Sequence, residues 1–255
     1  MKKILIILIV ITCNCKAQKH PIITHLNEFN ILSAIYNNYD EGTKSSKWLV
    51  KENSIIKEFF NKEKIYLYTS IKSIIDSIKF NEEKFAVVVT QTKPEDYDCH
   101  FCAPLVGIIL VENIDNSWVV KYNIYLDLIG SWGEISTPKI ELIGKHKYGI
   151  SFETGLTGQG FTNTKFILYE LQQDTINKIL IIDDFSGDNE GICDTLLNNC
   201  WKYSSIYYFK KSSDSNYYDL IVNKSGTKIE NNKIKAFNSM KIYEYVNGKY
   251  NLKLY

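Results

Sequence analysis

The chain contains no arginine: its 30 basic side chains are all lysines, set against 29 acidic residues for a formal net charge of +1. Without guanidinium groups, planar two-point recognition of phosphate or carboxylate is ruled out. Any anion site would have to use lysine, backbone N–H groups or a helix N-terminus, which makes phosphoryl transfer an unattractive function. Because the charges are balanced and evenly spread, nucleic acid and strongly charged membrane surfaces are poor partners. Proline is scarce, at 4 residues, and no Pro/Gly/Ser-rich stretch marks a linker between domains. Other catalytic signatures are absent too. There is no Gly-x-Ser-x-Gly elbow, and Gly155–Phe161 is glycine-rich without the spacing or the Lys-Ser/Thr of a phosphate loop. The 4 histidines, His20, His25, His100 and His146, carry no supporting pattern. No apolar run reaches the roughly 20 residues of a membrane-spanning helix.

The amino terminus does carry a pattern. Lys2 and Lys3 precede an unbroken apolar run from Ile4 to Ile11, followed by the small-residue site Cys15-Lys16-Ala17. This is the layout of a secretory leader, with residues 1–17 removed on export to the periplasm or beyond the cell. Alternatively, Cys13 or Cys15 is a lipidated lipoprotein cysteine, although the residues before each are poor matches to a lipobox. The remainder, residues 18–255, reads as a single domain with a helix-rich part over 18–80 and a β-rich part over 81–255. With 45% hydrophobic and 13% aromatic residues it can bury a substantial core.

Apolar residues at helical spacing (Leu26, Phe29, Leu32, Ile35, Tyr36, Tyr39) predict a helix with Thr24 as its N-cap. Ser54 and Ser70 are expected to start two further helices, the first carrying Ile55, Ile56, Phe59 and Phe60, the second Ile71, Ile74, Ile75 and Ile78; Ile65–Thr69 between them reads as a short strand. From Phe85 the pattern changes to strands. Phe85–Thr92 and Leu105–Glu112 read as buried, Trp118–Leu128 alternates cleanly, and Gly155–Phe161 provides a sharp turn. Hairpins are expected through Lys145-His146-Lys147, through Gln172–Asn177, and at Asn247-Gly248, where a type I′ turn needs positive φ at both central residues. The fold class is therefore mainly β: an antiparallel hairpin meander forming a sandwich or propeller-like sheet system, with a small helical N-terminal region.

Four cysteines follow the leader, and their close spacing favours two local disulfides, Cys99–Cys102 and Cys193–Cys200. Such short bridges shape loops more than they stabilise folds. A Cys-x-x-Cys pair also suits a thiol–disulfide redox enzyme when it opens a helix, but the residues after Cys102 read as a strand beginning at Pro104. A four-cysteine zinc site is a further option; it is weakened because six residues separate Cys193 from Cys200. In the acidic segment Asp183–Gly191, Asp184 and Asp188 are weak calcium candidates, and the simpler reading is a solvated turn held by the second disulfide. Trp132, between two glycines, is a weak candidate for an aromatic binding platform. Taken together, these features describe an exported protein, non-enzymatic, that binds an envelope protein or a glycan through tyrosine-rich strands. No cofactor is called for and no catalytic residue stands out. The alternative is a periplasmic redox enzyme using Cys99 and Cys102.

Overall fold

The computed structural model describes residues 20–50, 56, 60, 65–194, 199–212, 215–231 and 233–253. The predicted leader, with Cys13 and Cys15, lies outside them. The first sheet contains β1 (Ile22–Ile23), β2 (Tyr39–Asp40), β3 (Ser45–Leu49), β4 (Tyr66–Phe80), β5 (Glu83–Pro94), β6 (Leu105–Ile114) and β7 (Ser117–Leu128). Its order is β1-β7-β6-β5-β4-β3-β2, antiparallel throughout. The second sheet is a meander in chain order. It comprises β8 (Lys139–Gly144), β9 (Lys147–Gly158), β10 (Phe161–Leu171), β11 (Ile176–Asp188), β12 (Lys202–Lys210), β13 (Asp219–Glu230), β14 (Lys233–Val246) and β15 (Lys249–Leu252). The fold is mainly β, as the sequence predicts.

The second sheet curls. β11 pairs with β12 only at Gly187 and Asp188, and β12–β15 then swing back across the face of β8–β11 turned away from the first sheet. The return is fastened where Gly144 bridges to Tyr217 and Tyr218 donates its N–H to Ile143 at 2.8 Å. This leaves β8–β11 as a middle layer with apolar material on both sides. On β10, Ile167, Tyr169 and Leu171 pack against Val87, Val89, Val106 and Ile108 of the first sheet. The alternate residues Phe166 and Leu168 pack against Phe185, Leu220 and Val222. A strand buried on both faces carries a continuous apolar run instead of alternating, and Phe166–Leu171 does so, interrupted only by Glu170. β5 and β6 follow the same rule, because Ala86, Val88, Ile109 and Val111 form a third core with Ile31 and Trp118 on the outer face of the first sheet.

That outer core is roofed by α1 (Glu28–Tyr36). Its N-cap is Asn27, not Thr24: the Asn27 Oδ1 accepts from the Asn30 N–H at 2.8 Å. The helix expected from Ser54 falls mostly outside the described residues, although its Ile56 and Phe60 are helical and buried.

The helix expected from Ser70 does not form; that segment belongs to β4. Register shifts between Ile71 and Ser73 and between Ile75 and Ile78 explain the misleading pattern. Each extra residue flips the strand, so Ile74 faces the outer core while Ile78, four residues on, faces the inter-sheet core. Two bulges thus turn a period of two into spacings of three and four that imitate a helix. The acidic segment is corrected in the same way, since β11 continues to Asp188 and the turn begins only at Asn189.

Candidate functional site

Strand β7 stops at Leu128, beside the stretches of β9, β10 and β11 that carry Leu156, Ile167 and Ile181. The face of these strands turned towards the first sheet, which further along is covered by the inter-sheet core, here opens into a cleft of about 600 Å³. Its apolar walls are Phe101, Leu128, Leu156, Ile167 and Ile181. Several are well exposed for their type: Phe101 68%, Leu156 47% and Ile181 46%. Large apolar groups left in water around one concavity mark a contact site.

The charged lining is paired off. Asp127 accepts the Tyr169 hydroxyl at 2.5 Å and bridges to the Lys178 ammonium at 2.6 Å, and Lys165 meets Asp183 at 2.8 Å. Burial raises the Tyr169 phenol above its ordinary range, and the Asp127 carboxylate adds to the shift, so this hydroxyl stays protonated as a donor. Two lysines answered by two aspartates leave the cleft without a net charge.

The Cys99–Cys102 loop lines the cleft through Phe101, and the Cys193–Cys200 loop packs on the β9–β10 turn. Cys99–Cys102 and Cys193–Cys200 each have Cα atoms 4.9 Å apart. The first closes a tight turn in which the Cys102 N–H donates to the Cys99 carbonyl at 2.9 Å, and Gly133 donates to the Cys102 carbonyl at 2.7 Å. His100 sits edge-on between Phe101 (4.7 Å) and Trp132 (4.9 Å), forming a short aromatic row at the rim. The same loop lies over Gly158, where an added Cβ would be 3.7 Å from His100 and 3.8 Å from Phe101.

The second loop presses on the other side of the β9–β10 turn. Gly191 donates to the Gly160 carbonyl at 3.1 Å, and a Cβ on Gly160 would collide with Ile192. Positive φ at Gln159 (51°) and Gly160 (80°) lets the chain reverse here between the two disulfide loops. Asn189, which sequence reasoning passed over, pins the second loop through its buried amide. Its Nδ2 donates to the Asn199 carbonyl at 2.9 Å, and its Oδ1 accepts from the Trp201 N–H at 2.7 Å.

The calcium candidates do not converge. Asp184 accepts from Tyr203 and is ion-paired with Lys224. Partial burial works to raise its carboxyl, but those two partners outweigh it and hold the pKa below the usual value. Asp188 lies four positions further along the strand, roughly 13 Å away, with its carboxylate accepting from the Glu190 N–H at 3.2 Å. Among the described residues no three His, Cys, Asp or Glu side chains gather as a metal would require.

Trp132 is exposed and closes the aromatic row, its ring meeting that of His100 edge-on. The cleft walls were not singled out in the sequence, because Leu128, Leu156 and Ile181 sit in strands where an aliphatic residue is ordinary. Phe101 was the available signal: trapped inside a four-residue disulfide loop, it has no route into a core.

A second cavity, about 610 Å³, lies at the opposite end of the sheet interface. It is lined mainly by charged and amide groups that bond one another, such as Lys121 to Glu112 and Gln173 to Glu83, both at 2.9 Å. Its ordinary polar surface gives less reason to expect a ligand. Comparison of the chain with protein-family models, with curated proteins and with solved structures finds no match.

Proposed function

We propose that this is an exported, non-enzymatic binding protein whose cleft takes an apolar, uncharged segment of another envelope protein. The observation that carries this reading is the cluster of exposed apolar side chains around one charge-balanced cleft, lipped by the Cys99–Cys102 loop. Aliphatic walls suit an apolar segment better than a glycan, which needs unpaired hydrogen-bonding groups beside its aromatic platform. Two disulfides fit an oxidising location, and with the leader they support release into the periplasm or medium. On this reading residues 18–255 act as one unit, because both sheets contribute to a shared core.

Nile red, a neutral apolar dye, serves as the first probe. Leu156→Asp and Ile181→Asp each remove an apolar wall worth about 1.5–3 kcal/mol, so each should weaken dye binding by roughly 10- to 100-fold. Ile206→Asp, on the far face of β12, should leave binding unchanged. Equal losses in all three variants, or no dye binding by the parent, would refute the cleft as a ligand site.

A thiol–disulfide enzyme is the second reading. It is favoured by one asymmetry: Cys99 is exposed whereas its partner Cys102 is buried. Cys102 is followed by β6 and not by a helix whose N-terminus would stabilise a thiolate, so the binding reading is preferred. Turnover of a disulfide-bonded peptide by the purified protein would reverse that preference.

A further inference from the structure

The Cys99–Cys102 loop forms the outer lip of the cleft, and the geometry points to its disulfide as a redox latch on ligand binding. This inference rests on the cleft being the ligand site. Four observations place the latch. Phe101, between the two cysteines, is itself a cleft wall. Cys99 is the exposed member of the pair, so its sulfur is the one an incoming thiolate reaches, while Cys102 is buried. The other bridge has no exposed member, as Cys193 and Cys200 are both half-buried. Finally, the two ends of the first loop are held unequally. Cys102 is anchored by burial and by the Gly133 N–H at 2.7 Å. The chain before Cys99 is held by Tyr97, whose ring meets Phe60 at 5.6 Å, while Asp98, largely in solvent, adds an ion pair to Lys93 at 2.8 Å that contributes little. Cutting the disulfide therefore leaves Cys99, His100 and Phe101 held by the turn bond from the Cys102 N–H and the His100–Trp132 edge contact, so this part of the loop loosens while Cys102 stays put.

The reductant is an external dithiol. Its thiolate attacks the Cys99 sulfur, and the sulfur–sulfur bond breaks as Cys102 leaves as a thiolate and takes up a proton. The dithiol's second sulfur, as its thiolate, then attacks the mixed disulfide and releases Cys99, which is protonated in turn. The dithiol departs as a disulfide, having supplied two electrons. The closed, ligand-holding state is the oxidised one, and reduction lets the Phe101 lip swing away from the wall it shares with Leu128 and Leu156.

The test uses the mature chain with graded dithiothreitol, following thiols by alkylation and peptide mass while Nile red affinity is measured on the same samples. Cys99 and Cys102 should become alkylated before Cys193 and Cys200. Over that interval dye affinity should fall between about fivefold and about twentyfold, the upper figure being the ordering that so short a bridge removes from a free loop. Reoxidation should restore it. A Cys193→Ser/Cys200→Ser variant, if it folds, should show the same drop. Earlier reduction of Cys193–Cys200, or unchanged affinity once Cys99 and Cys102 are free, overturns the latch and leaves the cleft standing. Failure of the oxidised protein to bind the dye overturns the cleft reading, and the latch with it.

Discussion

Glu170 interrupts the apolar run of β10 and points into the second core, where it is 1% exposed. A carboxylate taken out of water there requires compensation, and two phenols supply it: Tyr217 donates at 2.5 Å and Tyr245 at 2.9 Å. The two rings stack at 3.6 Å and 10°, which fixes both hydroxyls on the same carboxylate. Tyr217 also forms the bridge to Gly144 that closes the curled sheet. Replacing Tyr217 by Phe keeps the ring and removes one bond to a buried charge, which should cost about 1.5–3 kcal/mol. For a chain of this size that lowers the melting temperature by roughly 3–12 °C. Urea unfolding followed by intrinsic fluorescence would measure the loss. A cycle with Glu170→Gln isolates the pair: the two changes should couple by at least about 1 kcal/mol, since each removes the same charge-assisted bond. A loss below about 0.5 kcal/mol for Tyr217→Phe, or additive single changes, would refute the claim that this carboxylate is held by its phenols.

Three further outcomes follow from the same structure. Burial raises the phenols of Tyr122, Tyr125, Tyr169, Tyr217 and Tyr250 above their ordinary value, and neighbouring carboxylates add to this at Tyr122, Tyr169, Tyr217 and Tyr250. A raised folded pKa leaves stability intact below the unfolded value of about 10 and removes it as pH climbs beyond; absorbance at 295 nm and circular dichroism should therefore show phenolate appearing together with unfolding above pH 10, not before it. The Thr90 hydroxyl is fully buried without a protein partner, beside Thr69 and Thr92, which satisfy each other at 2.8 Å. Thr90→Val should thus be neutral or stabilising by about 1 kcal/mol in thermal unfolding, against a loss if that hydroxyl holds a bond. Gly160→Ala combines a positive φ of 80° with a collision against Ile192, so chemical denaturation should register a loss of roughly 1–3 kcal/mol.

What could be read from the sequence depended on whether the governing contacts were local. The Asn247-Gly248 hairpin was legible because the two residues alone determine the turn, and their φ values of 52° and 82° bear it out. Cys99–Cys102 and Cys193–Cys200 were legible because short loops leave few alternatives. Phe85–Thr92 was recognisable as buried, although not that its alternate residues enter two different cores. The start of β4 was read correctly as a strand, but its continuation from Ser70 was misread because its bulges depend on pairing with β5 and leave no mark in its own residues beyond an irregular apolar spacing. The cleft was illegible for a deeper reason. Phe101, Leu128, Leu156 and Ile181 are scattered over some eighty residues, and they come together only where the end of β7 meets β9–β11 beside the first disulfide loop.

The most direct test of the account is methyl NMR of the oxidised protein during a Nile red titration. The reading predicts shifts concentrated at Leu128, Leu156, Ile167 and Ile181, with Ile206 and Met240 on the far face unmoved. Shifts centred on Ile206 and Met240 instead, with the cleft methyls silent, would contradict it and move the recognition surface to the opposite side of the curled sheet.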